Sequence, residues 1–118
     1  MVLVDTSLWV EHLRRGHAEL EALLSAGKVV CHRFVIGELA CGSIENRAEI
    51  FSLLRSLPSA VEADHDEVMA FLEKYRLMGK GLGLIDIHLM ASTFLSGMSL
   101  WTLDKKLRRE SVRLGIAY

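Results

Sequence analysis

The chain has little proline, little cysteine and no excess of either charge. Pro58 is the one proline in 118 residues, which argues against a loop-rich all-β chain. Cys31 and Cys41 are the two cysteines, with no CxxC and no paired histidine spacing. That pattern excludes a disulfide scaffold and a structural zinc site, and a reducing cytoplasmic setting is expected. Lys and Arg number 14 against 15 Asp and Glu, a formal net charge of −1. Bulk positive charge is therefore excluded as a means of holding nucleic acid, although a local basic rim is not. No basic stretch precedes the apolar residues 2–4, so no signal peptide is expected. The longest apolar stretch, residues 82–100, contains Asp86, His88 and two glycines. A membrane span would bear these at high cost, so a buried helix and no membrane partner are expected.

Hydrophobic residues make up 51% of the chain and charged residues 25%, the balance of a globular protein. The length suits one domain over residues 1–118. Short β-rich runs alternate with longer helical patterns. Residues 2–4 form a continuous apolar run, as in a strand buried on both faces. Asp5, Thr6 and Ser7 supply capping chemistry for a helix over 8–15, ended by Gly16. Further helices are expected over 18–25, 34–41, 47–57, 66–78, 84–95 and 105–109. Further strands are expected over 29–31 and 98–103, with weaker ones over 60–63 and 114–117. The alternation predicts an α/β sandwich around a mostly parallel sheet.

Four carboxylates lie in apolar or strand-end settings. Asp5 ends the first strand, Glu38 sits in the apolar helix 34–41, Asp86 opens the helix 84–95, and Asp104 follows the strand at 98–103. Sites in open α/β sheets form at the carboxyl ends of strands, so Asp5 and Asp104 converge if their strands are neighbours. Four such groups cannot all stay ionised unaided; protons or a cation must offset the charge. All-oxygen ligands favour a hard cation, Mg²⁺ or Mn²⁺, which activates water and stabilises charge developing on a phosphodiester. Each acid also has a plainer reading. Asp5, Asp86 and Asp104 are all placed to cap a following helix, and Glu38 suits an exposed helix edge as well as a costly buried position.

Other residues divide in the same way. Arg14, Arg15, Lys105, Lys106, Arg108 and Arg109 suit either a phosphate-binding rim or solvated helix ends. Residues 79–83, Gly-Lys-Gly-Leu-Gly, lack the order of a nucleotide loop and read as a flexible connection that positions Asp86. His88 reads as structural and His12 as a surface group. Trp9, Trp101 and Phe94 are offered to the core before base stacking. Leu8, Leu13, Val35, Ile36 and Leu39 are candidates for an apolar partner face. A phospho-receiver domain needs paired acids after the first strand and a mid-chain Asp, and residues 50–60 contain no acid. An Asp-nucleophile phosphatase wants an Asp two residues after the first, where Ser7 stands.

The same residues carry a family resemblance. Val2-Leu3-Val4-Asp5-Thr6-Ser7-Leu8-Trp9-Val10, Phe34-Val35-Ile36-Gly37-Glu38-Leu39, Asp86-Ile87-His88-Leu89-Met90-Ala91-Ser92 and Leu100-Trp101-Thr102-Leu103-Asp104 resemble, in order, the four acidic segments of PIN-domain ribonucleases of the VapC type. The acids are spaced 33, 48 and 18 residues apart, and the likeness spans nearly the whole chain. The resemblance implies a PIN-like three-layer sandwich with a central, mostly parallel sheet flanked by helices. It implies a metal-dependent endoribonuclease, the toxin of a toxin–antitoxin pair, that blocks translation by cutting RNA. Asp5, Glu38, Asp86 and Asp104 are then the catalytic and metal-holding acids, Asp5 and Asp86 foremost, with Mg²⁺ or Mn²⁺ as cofactor. Thr102 and Ser7 match hydroxyl positions beside the site. An RNA substrate, a cognate antitoxin covering the cleft and a homodimer are implied. A PIN-fold module that binds RNA or protein without cutting is the alternative. Arg33 and Leu103 depart from the family's usual small or polar residues, at the cleft rim and at a possible RNA contact.

Overall fold

The computed structural model describes residues 1–118. In chain order the elements are β1 (Val2–Val4), α1 (Thr6–Arg15), α2 (Ala18–Ser25), β2 (Val29–Val30), α3 (Arg33–Ala40), α4 (Arg47–Ser56), α5 (His65–Lys74), α6 (Leu84–Ser96), β3 (Ser99–Trp101) and α7 (Lys105–Arg113). The sheet has the order β2-β1-β3, and both pairings are parallel. Leu3 lies opposite Val30 on one side and Leu100 on the other. All three residues of β1 are buried. Successive strand side chains point to opposite faces, so burial of all three requires cover on both faces. That is the expected α/β sandwich, with the sheet wholly parallel.

Much of that cover comes from α6. Its residues Ile87 to Thr93 are buried without a break, which is the reason for its nearly all-round apolar sequence. One core of 24 buried residues joins the sheet to the helices. No helix is long and apolar enough to cross a membrane.

Several boundaries differ from the sequence expectation. Helix α1 begins at Thr6 because Asp5 takes the N-cap, its carboxylate accepting the Thr6 amide. The strands expected at 60–63 and 114–117 are reduced to single bridges, Cys31 with Ser59 and Leu100 with Ala117. Strand β3 stops at Trp101, and the next residues turn into the site. Helix α7 runs on to Arg113 because Glu110 is buried yet satisfied. Its carboxylate accepts from Arg113 at 2.8 Å, and Arg113 donates onward to the Tyr75 carbonyl at 2.8 Å. The hydrogen bond from Arg113 holds the Glu110 carboxyl below the usual range against the opposing effect of burial. Phe94, expected in the core, is 46% exposed. Leu8, Val35 and Leu39 are buried in the core and offer no partner face.

Helix α5 ends at Lys74 and not near Met78. The Leu77 amide donates to the Leu72 carbonyl at 3.0 Å and the Arg76 amide to the Glu73 carbonyl at 3.3 Å. These two bonds form a Schellman stop with buried Leu77 as its apolar anchor. Arg76 occupies the left-handed position at φ 52°, where glycine is usual. No glycine marks the end, so the apolar period runs past it in the sequence. Arg76→Gly should stabilise the protein by about 0.5–1 kcal/mol, since relief of the left-handed strain exceeds the added chain entropy. A lower urea midpoint for this variant would contradict the assignment.

Candidate active site

The parallel pairing of β1 with β3 brings Asp5 beside Thr102. The Asp5 amide donates to the Trp101 carbonyl at 2.9 Å, which continues the ladder past the strand ends. Asp5 is only 6% exposed. One carboxylate oxygen accepts from the Thr6 amide at 2.7 Å. The other accepts from the Ser7 hydroxyl at 2.9 Å and the Thr102 hydroxyl at 2.6 Å. Burial of this charge is thus offset by three donors. The two hydroxyls are themselves oriented by backbone: Leu103 N–H donates to Ser7 Oγ at 3.0 Å and Asp104 N–H to Thr102 Oγ1 at 3.0 Å.

Asp104 is exposed and caps α7, accepting from the Lys106 and Leu107 amides at 3.0 and 2.9 Å. Asp86 is half-buried. It does not cap α6 from the front; it stands in the first turn and reaches back to the Gly83 amide at 2.9 Å. Glu38 is exposed on α3, and the Thr6 hydroxyl donates to it at 2.7 Å. In the sequence Thr6 reads only as a cap. Its link to Glu38 spans 32 residues, a separation that no local pattern encodes.

The capping and acidic readings of Asp5 and Asp104 therefore hold together. A cap fixes the carboxylate, and the helix N-terminus offsets its charge. The carboxyl of Asp86 is raised above its ordinary value of 3.8, first by burial and then by the charges of Asp5, Asp104 and Glu38, with the Gly83 amide opposing. All four acids thus sit in one electrostatic neighbourhood. They are not clenched: no three Asp, Glu, His or Cys side chains close on a common metal-holding point. Each is held by donors of its own. The donor set is all carboxylate and hydroxyl oxygen, which suits a hard cation.

A cleft of about 570 Å³ opens at Glu38. Its wall includes Thr6, Val10 and Leu13 of α1, Glu38 of α3 and Ile50 of α4. Arg14 is exposed and lines this cleft. The other basic candidates are scattered. Arg15 lies 3.9 Å from Glu11, and Arg109 lies 3.5 Å from Glu110. Lys105 and Arg108 are exposed on α7. Lys106 runs over Gly81, where an added Cβ would come within 2.7 Å of its stem. Arg33 opens α3 and pairs with Glu62 at 3.3 Å, away from the acids' own bonds. Leu103 is 50% exposed at the site's edge. Trp9, Trp101 and His88 are buried, and His12 accepts from the His17 amide at 3.2 Å.

Known proteins resemble this chain in sequence and in fold. The PIN domain family matches residues 2–111. The chain belongs to that family. It is 44% identical to the protein named Ribonuclease VapC32 in two strains of Mycobacterium tuberculosis, CDC 1551 / Oshkosh and H37Rv. Each match covers 99% of this chain and 95% of the relative. The crystal structure of PAE2754 from Pyrobaculum aerophilum superposes with a TM-score of 0.62 at 19% identity, covering 97% of this chain and 88% of that one. That likeness supports the fold of this PIN domain, whose sheet edge carries Asp5, Thr102 and Asp104.

The raised Asp86 carboxyl has a stability consequence. The folded state holds its proton to higher pH than the unfolded one, so stability falls as pH rises from 3.8 through the folded value. Asp86→Asn removes that charge and retains an acceptor for the Gly83 amide. Its melting temperature at neutral pH in EDTA should exceed that of the wild type. A lower one would show that the buried Asp86 charge does not destabilise the fold.

Proposed function

We propose that this PIN domain is a metal-dependent endoribonuclease that hydrolyses RNA phosphodiester bonds, and that it is the toxin of a toxin–antitoxin pair which inhibits translation in the cytoplasm. The observation that carries the reading is the hydrogen-bonded set at the carboxyl ends of β1 and β3, where Thr102 joins Asp5 to Asp104 and Thr6 joins the same edge to Glu38, with Asp86 feeling the charge of all three. The VapC32 relative, named a ribonuclease, supports it.

In this reading Asp5 and Asp86 are the leading ligands of Mg²⁺ or Mn²⁺, with Glu38 and Asp104 completing the acidic set. A bound cation of this kind supplies an activated water and offsets charge developing on the phosphodiester. The chain's own residues do the rest. Ser7 and Thr102 donate to Asp5 and fix its carboxylate at the sheet edge. Thr6 keeps Glu38 oriented. Arg14, Arg15, Lys105, Lys106 and Arg108 supply phosphate contacts, Arg14 and Lys106 first, because one lines the cleft and the other lies against the loop before Asp86.

Two partners belong to the same proposal. The apolar wall formed by Val10, Leu13, Ile44 and Ile50 is continuous with Thr6 and Glu38 and suits an antitoxin segment covering the acids. A second apolar surface, where the rings of Phe71, Tyr75 and Phe94 pack on one another, suits a homodimer.

Purified protein free of antitoxin should cut cellular RNA with Mg²⁺ or Mn²⁺, and EDTA or Asp86→Asn should abolish cutting while the fold survives. Folded wild-type protein that cuts no RNA under these conditions would point to a binding module. Lys106→Ala should weaken RNA binding evenly across sequences and lower the slope of log affinity against log salt by about one. An unchanged slope would remove Lys106 from the phosphate contacts.

A further inference from the structure

One buried ionisable side chain takes no part in the acidic cluster, the cleft or the basic rim. His32 is 2% exposed, at the junction between β2 and α3. Its backbone is extended, and its Nδ1 accepts the Phe34 amide at 3.0 Å, so the imidazole is the N-cap of α3. Its Nε2 lies 3.1 Å from the hydroxyl of Ser92 on α6. Ser92 is wholly buried. An Nδ1 that accepts a backbone N–H carries no proton. The neutral ring therefore has its proton on Nε2, which donates to Ser92 Oγ. Both ring nitrogens are committed, one to each helix.

Those two helices carry Glu38 and Asp86. Six residues separate His32 from Glu38 and six separate Asp86 from Ser92, about 9 Å of helical rise in each case. Helix α3 packs chiefly on α1 and α4. Its ties to α6 at this junction are the His32–Ser92 hydrogen bond and the Phe34–His88 ring contact, with centroids 4.7 Å apart. A helix is stiff over two turns, so a shift at the junction reaches both acids.

We propose that His32 is a positioning residue for the acidic site: in its Nε2–H form it sets the start of α3 and pins α3 to α6, holding Glu38 and Asp86 in register, and protonation of the ring releases that hold. The inference rests on the nuclease reading for its effect on turnover. Protonation of Nδ1 turns the acceptor into a donor facing the Phe34 amide and places a cation at a helix N-terminus, both unfavourable. Burial pushes the His32 imidazole below its ordinary value of 6.5, and His88 and Arg33 act in the same direction. The Glu62 carboxylate opposes them, itself paired with Arg33.

The test uses the full chain and two variants. His32→Asn keeps a short capping acceptor and loses the reach to Ser92; Ser92→Ala keeps the imidazole and removes its partner. Imidazole nitrogen shifts from NMR at neutral pH should show an unprotonated Nδ1 and a protonated Nε2. On acidification the amide resonances from Arg33 to Glu38 should move with the His32 midpoint in wild type and lose that component in His32→Asn. With RNA, each variant should lower kcat about tenfold with little change in KM, and His32→Asn should lose the part of the acid limb that tracks the His32 titration. An Nδ1–H tautomer, α3 resonances indifferent to His32, or two folded variants with wild-type kcat and pH profile would each overturn the proposal. If wild-type protein cuts no RNA, the nuclease reading fails separately, and the tautomer and the α3 titration still decide whether His32 holds the two helices.

Discussion

The need to hold the carboxylates of Asp5, Glu38, Asp86 and Asp104 by hydrogen bonds is the constraint on which the rest of this structure depends. Each acid is tied down by hydrogen bonds, and Thr6 serves both Asp5 and Glu38. Asp5 and Asp104 cap α1 and α7, Asp86 turns back to the amide that precedes α6, and Glu38 takes the hydroxyl of Thr6. Three of the four therefore lie at helix N-termini, where unsatisfied N–H groups offset negative charge. Glu38 stands near the far end of α3 and has no such help, so a side-chain hydroxyl from another helix supplies it.

The parallel sheet makes this arrangement possible. Strands that run the same way end on the same side, and the residues after each strand emerge there. β1 releases Asp5, and β3 releases Thr102 and Asp104. Their register is fixed because a slip by one residue would turn Leu3 and Leu100 away from their places in the core. Thr102 then serves both sides of the strand pair: it donates to the Asp5 carboxylate and accepts from the Asp104 amide. The most buried acid, Asp5, has the most donors, and the exposed acids are left to helix amides or one hydroxyl. The three donors on Asp5 offset the cost of desolvating its charge.

The helices that carry the remaining acids are held from their far ends. The pinning of α3 at His32 and the burial of α6 from Ile87 to Thr93 leave the acid-bearing turns at the rim but their supports in the core. On the other flank, Glu110, Arg113 and the Tyr75 carbonyl tie α7 to the end of α5. Without that tie a basic, weakly apolar helix would have little reason to extend past its first turns.

Much of this was legible in the residues. The apolar run Val2–Val4, the amphipathic period of α5 and the near-continuous apolar face of α6 mark strand and helix through spacing alone, because burial of one face dictates the period. The four acids stand out because carboxylates at strand ends and helix starts are conspicuous among apolar neighbours. Other features were not legible. Whether Glu38 was exposed, which hydroxyl held it, that Asp86 reached back to Gly83, and that the short runs at 60–63 and 114–117 made only single bridges all depended on the residues packed across the fold. The stop of α5 at Arg76 is hidden because a left-handed residue other than glycine leaves no mark in composition. His32 is the clearest case. In the sequence it is one histidine before a helix, and only tertiary contact with Ser92 gives it a second partner. Periodicity and local capping are properties of neighbours along the chain and can be read there; the pairing of Thr6 with Glu38, of Thr102 with Asp5 and of His32 with Ser92 joins residues 32, 97 and 60 positions apart, and only the packed structure determines which donor meets which acceptor.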